Sequence, residues 1–481
     1  MTDPELVRGD PALDDAGTPA RRRGRLGFFA VCLAYCAIIL DGSVLNVAVP
    51  AIRHDLRTSM AAAQWVLDAY TLPLAALLLT AGALGDRLGL RRLLLTGIAV
   101  FTAASAACAC APGPGALIAA RAVQGLGAAA LLPATLALIP HLFTRPSDQA
   151  RAAVAWVAAG AISVAAGPLT GGLLIGAFGW RSIFLINLPV GVISGCLARA
   201  TVPETPRSLV SLDLPGQAGA AAALGLIAAG LVLGGAAGWN SAVTLSALAG
   251  AAAAGLAFWV AERRGRHPMV PLSFFAHRVR TAAILSAGLM GFTFYGTLFV
   301  MSLYFQQVRG DSPAAAGIAL LPLTVGSSIG PLLLYRRLSA RYGHPVLLAA
   351  GFACCAAGTA VLGWTGPRTP YPADLAGLLL TGAASTIAFS ALTSLLVASV
   401  PPGQSGLGSG LQNTARQAGA LIAVSVLGSL LGTAHSAGQL PAVFIIIIIG
   451  AAAVGGTAAG ITAIRAARVR RPCRIPRTAR R

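Results

Sequence analysis

The chain contains no lysine: all 35 of its basic residues are arginine. A P-loop nucleotide hydrolase needs a lysine at its phosphates, and Schiff-base or retinal chemistry needs an amine, so both are excluded. Charge of either sign is scarce, 10% of 481 residues, and only 15 residues are acidic. None of the six histidines falls near the middle of an apolar run, which argues against a histidine proton relay or an intramembrane metal centre. The eight cysteines mostly lie within apolar runs without metal-ligand spacing, and read as small core hydrophobes. There is no GxSxG element and no loop long enough for a folded soluble domain, so neither an intramembrane hydrolase nor a receptor is expected.

What is abundant is apolar. Hydrophobic residues make up 56% of the chain and mean hydropathy is +0.76, outside the range of soluble proteins. Crossing a bilayer takes about 20 apolar residues of helix, and the sequence supplies that length near 26–50, 64–85, 93–111, 116–140, 152–177, 182–199, 216–236, 242–261, 281–305, 313–334, 346–365, 374–400, 408–432 and 441–464. The expectation is an all-α integral membrane protein with fourteen transmembrane helices. Residues 1–25 read as a polar cytoplasmic tail ending in RRRGR. No cleavage site follows, so the first span is expected to be retained.

The arginines orient the spans. With both termini cytoplasmic, 28 arginines fall in inner segments and five (Arg53, Arg57, Arg181, Arg309 and Arg368) in outer ones, leaving Arg121 and Arg416 within spans. The positive-inside rule is met with an even span count. Arginines clustered between apolar runs also argue against nucleic acid as a partner. The basic tail 465–481 reads as a topology anchor on anionic lipid. Two inner loops, GALGDRLGLRR and LYRRLSARYGHP, resemble each other at an offset that suggests a six-span repeat, with spans seven and eight inserted. The implied division is a bundle over 26–200, a linker with two extra helices over 201–280, and a second bundle over 281–464.

Ionisable groups inside a bilayer are costly and mark function by default. Asp41 and Asp68 are the acids that lie within spans, and Arg121 and Arg416 are the bases. At ~1.5 Å per residue, Asp41 sits roughly 9–14 Å, Asp68 about 6 Å and Arg121 about 8 Å below the outer ends of their spans. A carboxylate near an arginine can alternate between an ionised, paired state and a protonated one. That makes Asp41, Arg121 and Asp68 the proton-coupling candidates, with a static ion pair as the alternative. Arg416 is either a cavity group or a side chain snorkelling to the inner interface.

Several motifs resemble the major facilitator superfamily in its fourteen-span drug:proton antiporter branch. LDGSVLNVAVP matches that branch at Asp41, Asn46 and Pro50. GALGDRLGLRR matches its loop motif at Gly82, Leu84, Asp86, Arg87, Gly89 and Arg91, with Leu90 where a basic residue is usual. LIAARAVQGLGAA carries Leu117, Arg121, Gln124, Gly125 and Gly127 of the fourth-span motif. AAGPLTGG carries Gly167, Pro168, Gly171 and Gly172 of the antiporter motif, with Val154 and Ser163 replacing two upstream glycines; WRSIFLINLPVG follows it. LYFQQVRGDSPAAAGIALLPLTVG resembles antibiotic self-resistance exporters of the methylenomycin type.

The resemblance implies the major facilitator fold, two six-helix bundles plus two inserted helices. It implies a proton-driven antiporter in the plasma or inner membrane, without cofactor or metal, acting as a monomer. Arg121 would pass the proton with Asp41 as its partner. Asp86 would cap the third span, pair with a nearby arginine and latch the bundles near Gly406–Ser409. Asn46, Gln124, Tyr295, Tyr304, Asn413 and Arg416 are candidate cavity groups. Since the second half shows no intramembrane acid, neutral, zwitterionic or singly charged amphipathic drugs are the expected cargo; a proton symporter importing a small solute is the alternative.

Overall fold

The computed structural model describes residues 19–207, 213–265, 268–400 and 405–432. Among these there is no strand, and thirteen helices are long and apolar enough to cross a bilayer. They are α1 Pro19–Asp55, α2 Met60–Leu88, α3 Leu90–Ala109, α4 Pro114–Ala137, α5 Pro146–Phe178, α6 Ser182–Thr201, α7 Leu214–Ala237, α8 Ala242–Arg264, α9 Arg278–Val308, α10 Pro313–Gly330, α11 His344–Gly363, α12 Tyr371–Ser399 and α13 Ser405–Gly432. The fourteenth expected span, 441–464, and the tail 465–481 lie outside the described residues.

Helix starts follow local chemistry. Ser59, Ser241 and Ser312 each accept a hydrogen bond from a backbone amide three residues on, and proline occupies the first turn of α4, α5, α7, α10, α11 and α12, where its missing N–H is not needed. The first boundary differs most from the sequence reading. α1 begins at Pro19, so Arg22, Arg23 and Arg25 belong to its exposed first turns rather than to a tail. Long arginine stems let a spanning helix run on past the hydrocarbon without stranding charge.

α1 to α6 pack together, with α4 against α2 and α3, and α1 against α5 and α6. In the second half α9 packs against α13 and α12, α11 against α12, and α10 against α12. The halves meet along two seams, α2 with α13 and α5 with α10. The inserted pair α7–α8 is not simply appended: α7 lies against both α2 and α13 and so covers one seam.

Close approach of backbones, rather than hydrophobicity, holds such helices together, because lipid is as apolar as any side chain. The α9–α13 pair shows it. A Cβ on Gly419 would collide with the carbonyl of Gly288, and one on Gly291 with the carbonyl of Arg416. Overpacking a contact of this kind costs about 1–3 kcal/mol. Gly291→Val is therefore expected to lower the melting temperature of the purified protein by several degrees. Gly255→Val, on α8 with nothing within 4 Å of the added Cβ, should leave it unchanged. Equal melting temperatures for the two variants would refute the packing assignment.

Candidate functional site

Asp41 on α1 and Arg121 on α4 are 5% and 1% exposed and form a buried ion pair. Arg121 Nη1 donates to Asp41 Oδ2 and, at 2.6 Å, to Gln124 Oε1, while its Nε donates to the Val66 carbonyl of α2 at 3.2 Å. The rings of Tyr70 and Phe184 stand 4.2 Å and 5.7 Å from the guanidinium carbon. The other Asp41 oxygen accepts from Gln124 Nε2 at 2.9 Å and from Asn187 Nδ2 at 2.8 Å, and Ser105 Oγ accepts from Gln124 at 2.8 Å. Five helices thus contribute to one pair.

The fourth-span motif explains how they get close enough. Arg121 and Gln124 share a face three residues apart. Gly125 lets α4 approach the Tyr70 carbonyl of α2, and Gly127 lets it approach the Phe101 backbone of α3; a Cβ at either would meet main chain. In a low dielectric an ion pair is stable only when its remaining donors and acceptors are also met; here both Asp41 oxygens and the Nε and Nη1 of Arg121 have partners, and two aromatic rings flank the guanidinium.

Asp68 does not join this group. It is 1% exposed, and its Oδ2 accepts from Ser425 Oγ of α13 at 2.7 Å. Its Oδ1 has no partner. Two residues along a helix is a turn of about 200°. Val66 and Tyr70 therefore face Arg121 while Gln64 and Asp68 face the other half. Gln64 Nε2 donates at 3.0 Å to the Val424 and Ser425 carbonyls.

Those bonds belong to a seal across the outer end. Ser302 Oγ donates to the Asn46 carbonyl at 2.9 Å and Gln306 Nε2 to the Val47 carbonyl at 3.1 Å, both from α9 to α1. The α5 motif closes the second seam. Gly167 and Gly171 sit against Ser43 and Val44 of α1, while Gly172 meets Pro313 and Ala314, and Gly317 meets the carbonyl of Pro168. Thr324 and Ser328 of α10 donate to the Ala165 and Ala161 carbonyls at 3.2 Å and 2.8 Å.

At the opposite end, on the arginine-rich side, a cavity of about 870 Å³ opens between the halves. The first half lines it with Tyr35 and Trp156, stacked 3.9 Å apart, and with apolar residues of α2 and α4; Asn413 and Arg416 line it from α13. Arg416 donates to the hydroxyl of Tyr295 at 3.1 Å and to Asn413 Oδ1 at 3.4 Å. Asn46, Gln124, Tyr295 and Tyr304 do not line this cavity, Tyr295 standing behind Arg416. Asn46 donates to carbonyls within α1, Gln124 serves the ion pair, and the buried Tyr304 donates to the Gly366 carbonyl at 3.0 Å.

The inner loop motif lies at the cavity mouth. Gly82 and Asp86 line it. Gly89, at φ +95°, turns the chain from α2 to α3, and the Leu90 amide donates to Thr205 Oγ1 at 2.7 Å. Arg91 pairs with Glu204 at 2.7 Å and donates to the Arg199 carbonyl; Arg87 is exposed. Asp86 neither caps α3, whose N-cap is Gly89, nor pairs with an arginine among the described residues. It stands exposed at the rim with Ser409 and Gly410 across the opening, because the halves are parted on this side.

A further acid was missed. Asp374, in the first turn of α12, is fully buried and pairs with Arg309 at 3.0 Å, so the second half does hold a buried carboxylate. The available signal was an aspartate at a span start together with an arginine, Arg309, in the outer loop between α9 and α10. Asn187, Tyr70 and Ser105 were also not singled out, although Asn187 stands inside the quoted WRSIFLINLPVG.

A helical membrane protein with two packed halves, a seal at one face, a cavity open to the other and a charge pair buried within one half is a membrane transporter. The chain belongs to the Major Facilitator Superfamily, whose sequence profile matches residues 31–213 and 214–424. It is 33% identical over 402 residues to the methylenomycin A resistance protein of Streptomyces coelicolor, covering 84% of each chain. It is 34% identical to the puromycin resistance protein pur8 of Streptomyces alboniger, over 84% of this chain and 81% of that one. A tetracenomycin C resistance and export protein of Streptomyces glaucescens is 33% identical over 87% and 78%. Among solved structures, an auto-inhibited POT family peptide transporter superposes with a TM-score of 0.66 at 17% identity, covering 90% of this chain and 96% of that one. The protein is a multi-pass protein of the cell membrane.

The two members of the buried pair differ chemically. A carboxyl group can shed its charge by taking up a proton, whereas a guanidinium cannot. Removing Asp41 strands a permanent cation, at a cost of about 3–5 kcal/mol; removing Arg121 strands a group that can neutralise itself. Asp41→Asn is thus expected to lower the melting temperature in detergent more than Arg121→Gln. An equal or reversed order would show that the pair is not charge-dominated.

Proposed function

We propose that the protein is a proton-coupled antiporter that exports amphipathic small molecules of the antibiotic or drug class by alternating access, with no cofactor, driven by the proton gradient. The observation that carries this reading is the Asp41–Arg121 pair buried on the first half, on the same helix that carries the outer seal. Asn46 and Val47 lie five and six residues past Asp41 on α1, about 7–9 Å along the axis. Protonation of Asp41 releases Arg121 from its ionic partner. α1 and α4 then repack, and the carbonyls that α1 offers to α9 shift with them. The cavity of about 870 Å³ on the arginine-rich side accepts cargo from the cytoplasm. Breaking the outer bonds of Ser302, Gln306, Gln64 and Ser425 while closing Asp86 onto the start of α13 would turn it outward. The antibiotic-resistance names of the relatives support export over import. No oligomer is required, since both halves of the cavity come from one chain.

The test is substrate-dependent proton movement in inside-out vesicles carrying the full chain, with a pH dye and a panel that includes methylenomycin, puromycin and tetracenomycin. In wild type at least one compound should dissipate an imposed gradient that is acidic inside the vesicle, because export carries drug into the lumen and protons out of it. Asp41→Asn and Arg121→Ala should reduce that flux by tenfold or more. Uptake driven in the opposite direction would establish the importing symporter instead, and unaltered coupling in Asp41→Asn would make the pair structural.

A second measurement addresses the seal. In a cysteine-free background, Gln64→Cys with Ser425→Cys should form a cross-link that holds the outer end shut and stops transport, with activity restored by reduction. Full activity of the cross-linked protein would refute the need to open this seam.

A further inference from the structure

Building on the exporter reading of this cavity, we infer that Arg416 is an anion-recognition residue. The cargo it selects carries a carboxylate on an amphipathic body whose apolar part packs toward Tyr35 and Trp156. The first observation is how Arg416 is partnered. A guanidinium has five N–H donors in a planar fork. The partners of Arg416 are two neutral groups, the hydroxyl of Tyr295 and the side-chain oxygen of Asn413, and its buried Nε has none. The rings of Tyr295 and Phe389 lie 5.9 Å and 5.7 Å from its carbon, holding the fork in place without neutralising it.

The second observation is where acids are. Asp86 and Asp213 line the same cavity but form no ion pair with Arg416. The sequence holds no aspartate or glutamate after Asp374. The buried acids among the described residues are committed elsewhere, Asp41 to Arg121, Asp68 to Ser425, Asp374 to Arg309 and Glu262 to the Val270 amide. The two arginines within spans are thus in opposite situations. Arg121 is matched by a carboxylate of the protein, while Arg416 presents an unmatched charge to a cavity.

The third observation is rigidity. Gly291 packs on the carbonyl of Arg416, so α9 fixes the backbone that carries the fork. A fixed, planar, permanently charged fork is best met by a planar bidentate oxyanion. A cationic drug would meet repulsion at the same point.

The experiment uses the full chain in lipid nanodiscs and a matched pair of probes, 1-pyrenebutyrate and its methyl ester, which differ in one charge. Wild type should bind the acid at least tenfold more tightly than the ester. Arg416→Gln should abolish that preference while leaving ester affinity unchanged, and Arg416→Lys should retain part of it. A wild type that binds acid and ester equally, or an Arg416→Gln that keeps the preference, overturns the inference. Should Arg416→Gln lose the ester as well, the wild-type ratio and Arg416→Lys decide. Proton release in proteoliposomes is read separately. Absence of release with any compound, alongside an Arg416-dependent acid preference, overturns the exporter reading and leaves the anion subsite standing. Equal release by acid and ester in both wild type and Arg416→Gln does the reverse.

Discussion

A permanent positive charge buried in a membrane protein must be answered by the protein around it, and Arg121 is that charge. Its partner Asp41 comes from α1, the amides that complete Asp41 come from α4 and α6, and Val66 and Tyr70 come from α2. Each of these groups has to arrive within hydrogen-bond reach, which sets how closely α1, α2, α4 and α6 can lie. The glycines at 125 and 127 are needed because that spacing leaves no room for a Cβ on α4. The motif RxxQGxG is therefore one requirement: charge, amide and access on successive turns of one helix.

From that centre the constraint spreads to the seam between the halves. α2 holds Arg121 with one face and α13 with the other, through Gln64 and Asp68. α1 holds Arg121 through Asp41 and α9 through the carbonyls of Asn46 and Val47. Two helices that touch the buried pair thus also form the outer seal, so the pair and the seal cannot rearrange independently. α7 lies over the α2–α13 contact. The inserted helices shield one seam from lipid, where the many carbonyl acceptors of that seal would otherwise meet hydrocarbon.

Much of this was legible in the sequence, and what escaped it has a common cause. Span number and depth follow from apolar length and from ~1.5 Å per residue, and on that measure Asp41, Asp68 and Arg121 read as one outer layer. Depth says nothing about azimuth between helices. Asp68 shares the layer but points about 200° away from Arg121's contacts on α2, and so belongs to the seam. Asp86 carries the inter-bundle latch motif, yet its contact depends on how far apart the halves stand on the cytoplasmic side, which no local pattern encodes. Asp374 stands at the first residue of the span 374–400, where hydropathy carries no sign of burial. Its burial comes from Arg309 folding back from an outer loop, a tertiary contact. Tyr304 read as a cavity group through its hydroxyl, but the outer core claims that hydroxyl for a backbone carbonyl.

The second intramembrane arginine gives the cavity a polarity of behaviour as well as of charge. Arg416 is tolerable while the cytoplasmic mouth is open, because water reaches a half-buried side chain. Closing that mouth withdraws the water, and an unmatched cation then costs several kcal/mol. A bound carboxylate removes most of that cost, so closure is easier loaded than empty. α13 carries both ends of this linkage, Arg416 at the cavity and Ser425 at the outer seal, nine residues or about 13 Å apart on one helix. A rigid rod with charge recognition at one end and the seal at the other ties filling of the cavity to opening on the far side.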